Sequence, residues 1–182
     1  MKKGKITIPT VITLFRIALV VPFMICLEKG GKMMAVALAI FAIAAVSDFL
    51  DGFLARRLNQ KTDAGAFLDP LADKMLVNLA FVGLYGRGLV PLWAVAIIVA
   101  RDFAVDGIRM NAAKHDVVIS ASFCGKAKTF TQMVAIAVMI FGCAIEHDFV
   151  LALGWLLVCA AVVLTVISGW QYIAKGWKMF LS

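Results

Sequence analysis

Apolar runs close to the length that crosses a bilayer, about 20 residues, recur six times in this chain, at 8–27, 33–55, 67–86, 89–110, 127–145 and 149–173. A chain of 182 residues that is 63% hydrophobic and only 16% charged carries more apolar surface than one soluble core can bury. The expected fold is therefore an all-α integral membrane protein with six transmembrane helices. No linker, low-complexity tract or internal repeat divides it, so residues 1–182 read as a single domain.

The formal net charge of +7 raises nucleic acid as a partner, but the basic residues sit at the ends of apolar runs instead of forming a stripe on a soluble face. That arrangement excludes nucleic-acid binding and follows the positive-inside rule. With both termini cytoplasmic, Lys2, Lys3, Lys5, Arg56, Arg57, Lys61, Arg109, Lys114, Lys126, Lys128, Lys175 and Lys178 lie inside, and Lys29, Lys32 and Arg87 lie outside. Residues 1–7 form a short basic interfacial segment suited to an anionic leaflet. Pro9, Arg16 and Pro22 interrupt the first apolar run and no small-x-small site closes it, so it reads as a retained span and not a signal peptide. Cys26, Cys124, Cys143 and Cys159 form no C-x-x-C pair and read as packed free thiols. His115 and His147 read as solvated loop residues.

The chemistry concentrates between Asp48 and Lys74. On a helix, Asp48, Asp51, Gly52, Ala55 and Arg56 share one face, backed by Phe49, Leu50, Phe53 and Leu54. Asn59 to Asp63 makes a turn, after which Gly65, Asp69 and Asp73 are spaced by four and stack on a second helix. Alternatively Asp69 caps that helix with Pro70 at its first position, leaving Gly65 ahead of it. Either way four carboxylates converge, and without a cation they repel. An all-oxygen donor set suits Mg2+ or Mn2+, and two such ions about 4 Å apart form a template for in-line phosphoryl transfer.

The spacing D-x2-D-G-x2-A-R-x8-G-x3-D-x3-D is complete in Asp48, Asp51, Gly52, Ala55, Arg56, Gly65, Asp69 and Asp73. It resembles the signature of the CDP-alcohol phosphotransferase family. Two further elements are similar to the branch of that family that makes phosphatidylglycerophosphate: P-T-V-I-T-L-F-R from Pro9 to Arg16, and R-D-x6-R from Arg101 to Arg109 joined to G-K-A-K-T-F-T-Q from Gly125 to Gln132. The resemblance covers roughly residues 6–135. It departs at Asp102, where glutamate is more usual, and at Asp106, where a small hydroxyl residue is commoner.

The resemblance implies transfer of a phosphatidyl group from CDP-diacylglycerol to sn-glycerol 3-phosphate, with release of CMP. It implies that Asp48, Asp51, Asp69 and Asp73 hold two divalent ions, that Asp73 is the general base, and that Thr10, Gly52, Ala55, Arg56 and Gly65 contact the nucleotide. Arg109, Lys126, Arg101 and Lys128 would hold the acceptor's phosphate. The same family likeness implies a homodimer, and the positive-inside orientation places the motif at the cytoplasmic face of the cell membrane.

Some residues allow two readings. Arg16, about two turns into the first run, either reaches the polar cavity or snorkels to headgroups. Arg101, Asp102, Asp106 and Arg109 either serve the acceptor or pair with one another inside the bundle. Lys74 either snorkels or neutralises an acid. The last two runs, with Gly154, Ala160 and Ala161, read mainly as packing. Rival functions are the same chemistry on inositol phosphate, serine or phosphatidylglycerol, a prenyltransferase, or a divalent-cation transporter. A transporter needs a polar route through the whole bilayer. Here the outer half offers only Glu28, Glu146 and Asp148, in loops.

Overall fold

In the computed structural model the backbone is described for residues 8–58, 63–114 and 123–180, and side chains for 11–47, 72, 74–112 and 124–174. The described residues form six helices: α1 (Ile8–Lys29), α2 (Met33–Leu58), α3 (Asp63–Gly86), α4 (Leu92–Lys114), α5 (Phe123–Ala144) and α6 (Asp148–Phe180). Each expected apolar run falls on one of them, except that residues 89–91 precede α4 and residue 145 follows α5. The interfacial segment 1–7, most of the 59–63 turn and His115 fall outside the described residues.

Three helices carry stretches long and apolar enough to cross a membrane, Val11–Lys29, Cys124–Ala144 and Asp148–Ala174. Shorter apolar stretches, Met33–Ser47 and Lys74–Gly86, flank the acidic motif. Large apolar side chains cover the outside, among them Phe103, Phe130, Phe149 and Trp170, each at least 70% exposed. In water such a surface would drive aggregation.

Glycine sets two of the tight connections. Gly30 (φ 67°) and Gly31 (φ 54°) turn α1 into α2, and Gly88 (φ 72°) closes α3. At that second end the Leu89 N–H donates to the Leu84 carbonyl (2.9 Å) and the Gly88 N–H to the Tyr85 carbonyl (2.8 Å). This is a Schellman motif, which needs a left-handed residue at the glycine. Arg87 then donates to the Glu28 carbonyl at 3.2 Å, and its guanidinium occupies the space a side chain on Gly30 would need. The two turns are thus locked together at one end of the bundle.

The apolar core fills that half of the molecule, with Phe23 and Leu27 of α1, Phe41 of α2, Phe81 and Leu84 of α3, Ile98 of α4 and Ile136 of α5. The Phe23 and Phe41 rings are 5.8 Å apart. Helices α5 and α6 pack most extensively, running antiparallel: Gly142 faces Leu151, Gly154 faces Met139, and Gln132 meets Thr165. Gly154 and Ala161 are buried, as expected of close-packing residues, whereas Ala160 is exposed. A Cβ on Gly154 would lie 2.5 Å from Met139 Sδ and 3.3 Å from its backbone nitrogen.

Gly154→Val should therefore force α5 from α6 and destabilise the fold by about 1–3 kcal/mol. Gly86→Ala, with open space around it, should leave stability nearly unchanged. Thermal unfolding in detergent reads both; equal melting temperatures for the two variants would refute the packing argument.

Candidate active site

The acidic motif is carried on continuous helical backbone. Asp48, Asp51, Gly52, Ala55 and Arg56 lie in the last turns of α2, and Gly65, Asp69 and Asp73 in the first turns of α3. Their spacings by three and four place each set on one helix face, as expected. The side chains of these residues, and of Thr10 on α1, lie outside the described residues. The alternative in which Asp69 caps α3 is replaced. The helix already begins at Asp63, an acidic residue of the kind favoured at a positive helix end, and runs through Pro70.

Immediately after Asp73, the Lys74 ammonium pairs with the Asp106 carboxylate on α4. Lys74 therefore neutralises an acid, but one on another helix. This contact links the motif helix to the helix that carries Arg101, Asp102 and Arg109. Asp102 is buried and accepts from two cations: Arg101 Nη1 at 3.1 Å and the Lys128 ammonium, which arrives from α5. Burying these charges is tolerable only because they meet; an isolated ion there would cost several kcal/mol.

Helix α6 completes the cluster. Arg101 Nη2 donates to Ser168 Oγ at 2.8 Å, and the Ser168 hydroxyl donates to the Thr165 carbonyl at 3.2 Å. Gln132 of α5 donates to Thr165 Oγ1 at 3.4 Å. The Arg101 stem crosses Gly169, where a Cβ would sit 3.0 Å from Cγ. Arg109 Nη2 donates to the Tyr172 hydroxyl at 2.9 Å. Both guanidinium groups also lie over the Tyr172 ring, 5.6 Å from its centroid for Arg101 and 5.1 Å for Arg109. With Asp106 neutralised by Lys74, Arg101, Lys128 and Arg109 face the one remaining described carboxylate, Asp102, and this end of α4 to α6 is positively charged, which favours an anion.

Of the residues expected to hold the acceptor, Arg101, Lys128 and Arg109 are thus brought into one cluster. Lys126 is exposed near the start of α5, beside Gly125, whose carbonyl accepts from the Thr129 hydroxyl at 3.3 Å. Arg16 is only 1% exposed, so it faces the bundle and does not snorkel. All four cysteines are free, and His147 is exposed in the turn between α5 and α6.

Comparison with known proteins decides the family. The model of the CDP-alcohol phosphatidyltransferase family matches residues 6–167. The chain belongs to that family. Among its relatives, the CDP-diacylglycerol–glycerol-3-phosphate 3-phosphatidyltransferase of Bacillus subtilis is 39% identical over 94% of this chain and 95% of its own. The protein of the same name from Escherichia coli is 41% identical over 93% of this chain and 94% of its own. A probable phosphatidylglycerophosphate synthase of Mycobacterium tuberculosis is 37% identical over 91% and 79%.

In this CDP-alcohol phosphatidyltransferase, reading α6 as packing missed Thr165, Ser168, Gly169 and Tyr172. Their spacing carried a signal. At i, i+3, i+4 and i+7 they form one small and polar stripe that follows the uninterrupted apolar turns 149–164 of the helix.

The Asp102 contacts make a stability prediction. Asp102→Leu strands the Lys128 ammonium and should cost about 3–5 kcal/mol, whereas Asp102→Leu with Lys128→Met should recover most of that loss. Denaturant unfolding in detergent measures both. A double variant no more stable than the single one would contradict the pairing.

Proposed function

We propose that this chain transfers the phosphatidyl group of CDP-diacylglycerol to the hydroxyl of sn-glycerol 3-phosphate, forming phosphatidylglycerophosphate and CMP. The activities named for its relatives support the two substrates. The observation that carries the reading in this chain is the Lys74–Asp106 contact, which couples the helix of Asp69 and Asp73 to the cationic cluster of α4, α5 and α6. A phosphate-bearing acceptor held by that cluster lies beside the acidic motif. Serine, with no phosphate, would offer the cluster only a single carboxylate in place of a phosphate.

The donor chemistry of the motif fits a hard divalent cation. Asp48 with Asp51, and Asp69 with Asp73, are all-oxygen pairs on regular helix, and Lys74, the nearest cation in sequence to Asp73, is already committed to Asp106. The four aspartates would hold two Mg2+ or Mn2+ ions, which would supply Lewis-acid charge at the diphosphate. Thr10, Gly52, Ala55, Arg56 and Gly65 bind the nucleotide and orient its diphosphate. Arg109 and Lys126, with Arg101 and Lys128 behind them, attract and orient the acceptor's phosphate. Asp73 takes the proton of the acceptor hydroxyl as its oxygen bonds to the phosphatidyl phosphorus. The anhydride P–O bond breaks, and CMP leaves with that electron pair.

The lipid substrate supports a whole-chain membrane domain over residues 1–182 in which all six helices cross the bilayer of the cell membrane. Termini and site then face the cytoplasm, with residues 1–7 on the leaflet surface and the unit a homodimer. Such a site opens to lipid and to water-soluble substrates together.

Purified protein in detergent, given CDP-diacylglycerol and Mg2+ or Mn2+, should release CMP with glycerol 3-phosphate. It should not do so with inositol phosphate, serine or phosphatidylglycerol. Asp73→Asn should lower the rate by about 10²-fold or more. Release with another acceptor would overturn the acceptor assignment, and an unaffected Asp73→Asn variant would overturn the base.

A further inference from the structure

We propose that Tyr172 of α6 is a positioning residue for the acceptor's phosphate, acting through Arg109 and Arg101; this rests on the acceptor reading above. Tyr172 is 3% exposed, so it is placed to act on the arginines and not on solvent-borne substrate. Arg101 and Arg109 are eight positions apart on α4, about 12 Å along the helix axis. Yet both guanidinium groups come within 5.6 Å of the centroid of one aromatic ring. The negative face of that ring attracts each cation and offsets the repulsion that gathering them creates.

The two arginines depend on it unequally. Arg101 is also fixed by Asp102 and Ser168. Arg109 has, among the described residues, one hydrogen bond, to the Tyr172 hydroxyl at 2.9 Å. Without that hydroxyl and ring, nothing else described holds the Arg109 side chain in one rotamer. The Nε of each arginine is buried without an acceptor among the described residues, which leaves donor capacity at this pair. An anion bound against Arg109 gains from a guanidinium already oriented, and loses that gain when the side chain must be ordered on binding.

The test compares wild type, Tyr172→Phe and Tyr172→Leu in one CMP-release assay, with KM measured separately for glycerol 3-phosphate and for CDP-diacylglycerol, alongside melting temperature in the same detergent. Tyr172→Phe keeps the ring and should raise the glycerol 3-phosphate KM about threefold. Tyr172→Leu removes ring and hydroxyl and should raise it about tenfold. In both, kcat and the CDP-diacylglycerol KM should stay within about twofold of wild type. An unchanged glycerol 3-phosphate KM in folded Tyr172→Leu would overturn the proposal. So would a parallel rise in both KM values, the mark of a purely structural role. If Tyr172→Leu does not fold, Tyr172→Phe decides alone by the same split. Turnover of glycerol 3-phosphate by wild type separates the two levels of inference. Its absence overturns the acceptor reading and this proposal together, and its presence without a KM shift overturns only this one.

Discussion

An ionised side chain inside an apolar helix bundle is tolerable only beside its opposite, and that constraint governs where the polar residues of this chain lie. Asp102 could not remain charged and buried without Arg101 and Lys128, and Lys128 could not lie buried in α5 without Asp102. The pair bridges α4 and α5 through their side chains, and the bond from Arg101 to Ser168 brings in α6, which packs against both. The same rule applied to Asp106 ties α4 to α3 through Lys74. The polar end of the bundle is therefore assembled by charge, while the opposite end is assembled by Phe23, Phe41, Phe81 and their apolar neighbours.

This division suits a transferase acting on one lipid and one phosphorylated, water-soluble substrate. Apolar helix surfaces meet acyl chains, and a charged end meets phosphate. The acidic motif and the basic cluster have opposite needs. Four carboxylates require cations, and the excess of arginine and lysine on α4 and α5 requires an anion. On the proposed reading, a metal-bound diphosphate and a phosphate-bearing acceptor would satisfy both, and the Lys74–Asp106 ion pair couples the helices that carry the two sets of residues. CDP-alcohol phosphatidyltransferase membership and the charge distribution of this chain thus agree on one chemistry.

Most of the helical architecture was legible in the sequence because apolar runs of membrane-spanning length separated by Gly30-Gly31, Gly86-Arg87-Gly88 and the 145–148 segment leave little choice of element. The boundaries erred where polar residues continue a helix. α3 starts at Asp63 and not near Phe67, and α6 runs on to Phe180, because backbone hydrogen bonding is indifferent to the loss of hydropathy that ends an apolar run. The acidic motif was legible from spacing alone. The partners of its neighbours were not. Nothing local says that Lys74 meets an acid 32 positions on, since that depends on how α3 and α4 pack. Tyr172 and Ser168 were hidden because they come at the end of a long apolar run that reads as packing, and only their shared helix face reveals them.

The central claim is that the carboxylates of α2 and α3 form a divalent-cation site. Equilibrium binding of Mn2+ to the purified protein, followed by electron paramagnetic resonance in detergent, tests it without reference to turnover. The account predicts saturable binding of two ions per chain, lost or strongly weakened in Asp51→Asn and Asp69→Asn variants that remain folded. Absence of saturable binding by wild type, or binding unaltered by both substitutions, would contradict it.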